Sequence, residues 1–116
     1  MNRILLVDDN VELRSLLTLV LSSSTCSVDE AESGHEALQR FYSDEYELVI
    51  TDYDMTGMNG AELTQELRKV SPDCPIIGIS ASPYAWEFAD AGATEFLSKP
   101  FKMTDIKCLV QRYLAG

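Results

Sequence analysis

Positive charge is scarce in this chain of 116 residues: nine Lys and Arg stand against nineteen Asp and Glu, a formal charge of -10. Such an excess repels nucleic acid and anionic lipid unless a basic patch offsets it, and no such patch exists, so neither direct nucleic-acid binding nor membrane binding is expected. Cysteine is almost as sparse. Cys26, Cys74 and Cys108 are odd in number, far apart and without CxxC spacing, which excludes a disulfide framework or a thiolate zinc site and points to a reduced, cytoplasmic setting. Long apolar runs are missing too. The N-terminal run from Ile4 to Val7 stops at two aspartates, too short for a signal-peptide core or a membrane span. Internal repeats and linkers are also lacking, and 46% hydrophobic with 24% charged residues is an ordinary globular composition. At this length the expectation is one domain over 1–116.

What is present is a steady alternation. Continuous apolar runs at 3–7, 48–51 and 75–80 read as strands buried on both faces, and weaker runs at 28–32 and 94–98 read as two more. Between them lie helical spacings. Leu13, Leu16, Leu17, Val20 and Leu21 mark one face of a helix over 10–23; Ala37, Leu38 and Phe41 mark a second over 33–43. Leu63, Leu67 and Val70 mark a third over 60–70, and Ile106, Leu109, Val110 and Tyr113 a last one over 103–114. The fourth is short: Pro83 suits its first position and Gly92 closes it. Five strands alternating with five helices imply an α/β fold with a parallel sheet, right-handed crossovers and helices on both faces.

In such a sheet the carboxyl ends of all strands share one edge, where open α/β sheets bind ligands. Asp8 and Asp9 follow the first strand, Asp52 the third, Ser80 the fourth and Lys99 the fifth. Singly, each has a plain structural reading. Asp9 with Glu12 three residues on fits a helix capping box, Asp52 a turn, Ser80 a satisfied hydroxyl and Lys99 an exposed lysine. Together they do not. Unit charges about 4 Å apart repel by about 4 kcal/mol at an effective dielectric near 20, so three converging carboxylates need compensation. A hard divalent cation such as Mg²⁺, which takes carboxylate oxygens, water and phosphate, supplies it, and an opposed lysine suits a phosphoryl group. The set points to phosphoryl transfer with a carboxylate as nucleophile.

These residues sit in the segments VDDN, LVITDYDM with Asn59-Gly60 downstream, ISAS and SKPF, in that order. The arrangement resembles the receiver domain of two-component response regulators from Arg3 to about Leu114. The resemblance implies a flavodoxin-like (βα)5 doubly wound sheet with strand order 2-1-3-4-5. It implies that Asp52 accepts a phosphoryl group from a sensor histidine kinase or phosphotransfer protein, as a signalling domain rather than an enzyme. Mg²⁺ would be held by Asp9, Asp52 and the backbone carbonyl of Asp54, with Asp8 acting through water. Ser80 would bond the phosphoryl oxygen and Lys99 would pair with it. Phe96 would reorient with Ser80, switching a surface made by the fourth helix, fifth strand and last helix, where an effector or a second copy could dock. Asp54 and Ser82 would tune dephosphorylation, and the peptide before Pro100 would be cis. Three features depart from the family pattern: Thr56 replaces a usual proline, the interval from Ser80 to Lys99 is about three residues short, and Asp54 adds a carboxylate.

Two other classes stay open at this point. Asp52 to Thr56 also spells DxDxT, the nucleophile motif of haloacid dehalogenase-like phosphatases, although that family places its acidic pair last. A receiver-like fold could also serve as an unphosphorylated interaction module. His35, lacking a neighbouring acid, reads as a solvated residue, and Tyr84 and Trp86 as packing or partner contacts. The chain reads either as a stand-alone receiver or as part of a longer regulator.

Overall fold

Successive strand residues point to opposite sides of the sheet, and here both sides are apolar. Ile4, Leu6, Leu48, Ile50, Ile77 and Ile79 pack on one side; Leu5, Val7, Val49 and Ile76 pack on the other. That double burial is why the central strands read as unbroken apolar runs. The computed structural model describes residues 1–81 and 83–114. In chain order it comprises β1 (Asn2–Val7), α1 (Val11–Leu21), β2 (Cys26–Ala31), α2 (Gly34–Ser43), β3 (Leu48–Asp52), α3 (Gly60–Val70), β4 (Ile76–Ser80), α4 (Ala85–Ala91), β5 (Glu95–Ser98) and α5 (Met103–Tyr113). The strands form one parallel sheet in the order β2-β1-β3-β4-β5, the flavodoxin-like arrangement. Leu17 and Leu21 of α1 and Ile106, Leu109 and Val110 of α5 cover one face. Ala37 of α2 and Leu63 and Leu67 of α3 cover the other. Among the described residues no helix is long and apolar enough to cross a membrane.

Several local expectations shift. β2 starts at Cys26, not Val28, because β1 already begins at Asn2 and the register pairs Asn2 with Cys26. Leu16 and Val70 are each 44% exposed, so neither helix buries the full stripe its spacing suggested. The cap of α1 is Asn10, one residue beyond Asp9: its side chain accepts from the Leu13 N–H at 3.1 Å. Asp9 is thereby left for other work. Pro83 lies outside α4, whose N-cap is Tyr84, and the helix runs for seven residues before Gly92 at φ 102° ends it.

The short α4 is held at two places. Phe88 is fully buried and fills space that side chains at Gly60 and Gly78 would otherwise occupy. A Cβ on Gly78 would lie 2.5 Å from the Phe88 ring, and one on Gly60 would lie 2.2 Å from the Asp52 carbonyl oxygen and 2.8 Å from Phe88 Cζ. Arg68 of α3 holds the other end. Its Nε donates to the Gly92 carbonyl at 2.8 Å, and its terminal nitrogens donate to the Cys74 carbonyl at 2.6 Å and to Thr94 Oγ1 at 3.2 Å.

Candidate functional site

Asp52 is the last residue of β3, flanked in the sheet by β1 and β4. Its backbone is fixed on both sides: the Thr51 hydroxyl donates to the Asp52 carbonyl at 3.0 Å, and the Tyr53 N–H donates to the Ile79 carbonyl at 2.9 Å. Gly60 N–H then donates to the Tyr53 carbonyl at 3.0 Å, folding the following loop back over the strand tip. Asp8, just past β1, is held through the Asn10 N–H, which donates to its Oδ1 at 2.9 Å. Lys99 is tied to β4 by its N–H, which donates to the Ser80 carbonyl at 2.8 Å. The Lys99-Pro100 peptide is cis.

The strand tips do converge. Carboxylate oxygens of Asp8, Asp9 and Asp52 all lie within 4.8 Å of one another, and Lys99 Nζ sits 3.0 Å from Asp52 Oδ1. Asp8 and Asp52 are only 3% and 5% exposed, whereas Asp9 is open to solvent. Ser80 is fully buried at the end of β4. Phe96 pairs at its Cα with Gly78, and so lies two residues short of Ser80 along the neighbouring strand; its ring is half-buried, 5.9 Å from that of Phe88. Asp54 is exposed beside Asp9 in an open groove that Tyr53, Met55, Thr56 and Asn59 complete. Ser82 lies outside the described residues. His35 is exposed at the start of α2, on a surface groove it shares with Gly57, Met58 and Glu62.

Electrostatics shows the strain of the arrangement. Burial pushes the Asp8 carboxyl up to about 6 from 3.8, with the neighbouring Asp52 and Asp9 adding to the rise. Burial also raises Asp52, and although Lys99 pulls it back, the net direction stays upward. A carboxyl raised in this way holds its proton in the folded state at a pH where the unfolded chain has already released it. Stability of the metal-free protein is therefore expected to fall as pH rises from 3.8 to about 6, after which this contribution is flat. Thermal melts in EDTA across that window check the sign, and Asp8→Asn should flatten the fall. An unchanged slope in that variant would mean that another group is responsible.

The residues fit a hard divalent cation. Oxygen is the only donor type the three acids present, and Asp52 Oδ1 is enclosed without a well-oriented hydrogen bond, 3.0 Å from the Lys99 ammonium. The loop after β3 is not left loose by Thr56, because the Thr56 N–H donates to Asp9 Oδ2 at 3.3 Å, a bond proline could not make.

Sequence reasoning missed one supporting residue. Arg14, one turn into α1, donates to the Asp8 carbonyl at 2.6 Å and to Glu30 Oε1 at 2.8 Å, and so braces the first acid against β2. An arginine set among the leucines of an apolar stripe was the available signal.

Comparison with known proteins agrees with this geometry. The family model described as "Response regulator receiver domain" matches residues 4–111. Response regulator MprA of Mycolicibacterium vanbaalenii is 36% identical over 107 residues, covering 90% of this chain and 46% of the relative. Transcriptional regulatory protein GlrR of Escherichia coli is 41% identical over 100 residues, covering 84% of this chain and 22% of the relative. The chain thus spans about half, or less, of the length of these relatives. Among solved structures, response regulator protein TrrA of Thermotoga maritima, determined in complex with Mg²⁺-BeF, superposes with a TM-score of 0.90 at 38% identity, covering 98% of this chain and 100% of the other. With the sheet order, the acid cluster and the family match in agreement, this chain belongs to the receiver domains of two-component response regulators.

Proposed function

We propose that Asp52 is the phosphoacceptor of this receiver, taking a phosphoryl group from a histidine kinase or a histidine phosphotransfer protein. The observation that carries the reading is the Lys99 ammonium 3.0 Å from Asp52, opposite the convergence of three carboxylates. One Asp52 oxygen forms the new bond to phosphorus, while the bond from phosphorus to the donor's imidazole nitrogen breaks and its electron pair stays on that nitrogen. Asp9, Asp52 and the Asp54 carbonyl would hold Mg²⁺ directly, and Asp8 through water. Mg²⁺, when bound, neutralises charge on the carboxylates and the phosphoryl oxygens. Lys99 balances a further charge, and the Ser80 hydroxyl donates to a phosphoryl oxygen. Asp54, already a like charge acting on Asp52, and Ser82 tune the loss of the group. Ser80 and Phe96 carry the change to the surface formed by α4, β5 and α5, which receives an effector or a second copy. Group transfer ends on the protein itself, so no external substrate is turned over. The free cysteines are consistent with a cytoplasmic location.

Acetyl phosphate with Mg²⁺ tests the assignment directly. Intact mass should rise by one phosphoryl group that hydroxylamine removes, and an unmodified protein would favour the interaction-module reading. Mg²⁺ alone should raise the melting temperature, since a ligand at a hundredfold its Kd stabilises by about 2.7 kcal/mol. Asp9→Asn should reduce that shift. An equal shift in the variant would remove Asp9 from the metal site.

A further inference from the structure

Two loops flank Asp52: residues 53–59 after β3 and, after β4, a link of which residues 81, 83 and 84 are described. Tyr53 is the first residue of one and Tyr84 the last of the other. Their rings lie face to face, with centroids 3.7 Å apart and planes 3° from parallel. Phe88, one turn along α4, meets the Tyr53 ring edge-on at 5.8 Å. Tyr84 is also the N-cap of α4, yet it makes no side-chain capping hydrogen bond. The polar cap that usually fixes a helix start is thus absent here, and the aromatic contact with the residue after Asp52 takes its place.

We propose that the Tyr53–Tyr84 stack is a positioning device that holds these two loops together beside the phosphoryl site and so sets how long the group stays on Asp52. The inference rests on Asp52 being the acceptor. Loss of the group is hydrolysis: a water oxygen bonds to phosphorus, the bond from phosphorus to the Asp52 oxygen breaks with its electron pair returning to the carboxylate, and the water's proton leaves with inorganic phosphate or to solvent. That water must reach phosphorus from the side opposite the breaking bond, so loop separation controls access. Tyr53 lines the groove at this mouth with Asp9 and Asp54, and Tyr84 restrains Tyr53 from the far loop. Neither ring touches the reacting atoms; both act by position.

The test phosphorylates the whole chain with acetyl phosphate and Mg²⁺, removes the donor, and follows loss of the hydroxylamine-sensitive mass. Losing the contact in Tyr84→Ala should shorten the lifetime about three- to tenfold, the rate equivalent of one aromatic pair. Tyr84→Phe keeps the ring and should match the wild type. Tyr53→Leu breaks the same stack from the other side and should act like Tyr84→Ala, which keeps the idea testable if one variant fails to fold. The Mg²⁺-induced rise in melting temperature should be unchanged in all three, a result that separates loop positioning from damage to the metal site. Lifetimes within about twofold of wild type in both stack-breaking variants, or a lifetime in Tyr84→Phe as short as in Tyr84→Ala, would overturn the proposal. A wild-type protein that takes up no phosphoryl group at all would instead overturn the acceptor assignment beneath it.

Discussion

An Asp52→Asn variant is expected to take up no phosphoryl group from acetyl phosphate in Mg²⁺, while remaining folded and becoming more stable than the wild type when metal is absent. The first half follows from chemistry, because an amide is too poor a nucleophile to form the acyl phosphate and no other carboxylate stands opposite Lys99 at comparable distance among the described residues. The second half follows from electrostatics. Burial raises the Asp52 carboxyl despite the nearby ammonium, so its charged form is a net liability in the metal-free fold near neutral pH. Asparagine keeps the shape and removes the charge; Lys99, with a side chain 27% exposed, still reaches water. Intact mass checks the first outcome and thermal melts in EDTA the second. Residual modification of the variant would move the acceptor elsewhere, and a lower melting temperature would show that the ion pair outweighs burial.

The other large effect is structural. Phe88→Ala should destabilise the protein by about 3–5 kcal/mol, toward the upper end of that range. Two of the surfaces Phe88 fills are glycines, Gly60 and Gly78, which have no side chains to swing into the cavity. A loss of this size in a domain of about 100 residues lowers the melting temperature by more than about 10 °C. Urea or thermal unfolding gives the number. A second variant makes the argument sharper: Gly78→Ala alone drives a Cβ to 2.5 Å from the Phe88 ring, whereas in the Phe88→Ala background the same methyl partly fills the void. The two changes should therefore be strongly non-additive. Additive losses would show that Phe88 and Gly78 are not packed as a complementary pair.

The alternation of apolar runs and helical spacings made the sheet and its order of elements readable, because double burial of β1, β3 and β4 leaves no polar interruption in them. Asp8, Asp9, Asp52 and Lys99 were readable for a related reason: parallel pairing forces their strand ends onto one edge. Contacts between loops were not. That Tyr53 finds Tyr84 and that Phe88 seats over Gly78 depend on how far the short α4 lies from β4, and that Asp9 turns to the Thr56 N–H instead of capping α1 depends on how the loop after β3 folds back, neither of which periodicity encodes. The start of α4 was misplaced at Pro83 because a proline suits a first turn anywhere, while the actual boundary follows from tertiary packing of Tyr84 and Phe88. Trp86 reads as a packing or partner-contact residue, and its 77% exposure excludes core packing.

Arg68 gives α4 a fulcrum. By gripping the Gly92 carbonyl and the segment before β4 at once, it fixes the C-terminal end of the helix to the body of the domain. Seven helical residues span about 10 Å, so a tilt of about 10° about that point carries the opposite tip, next to Asp52, through about 2 Å. Any such tilt would change little at the pivot and most beside the acidic pocket, and it would carry the exposed Trp86, near that tip, with it.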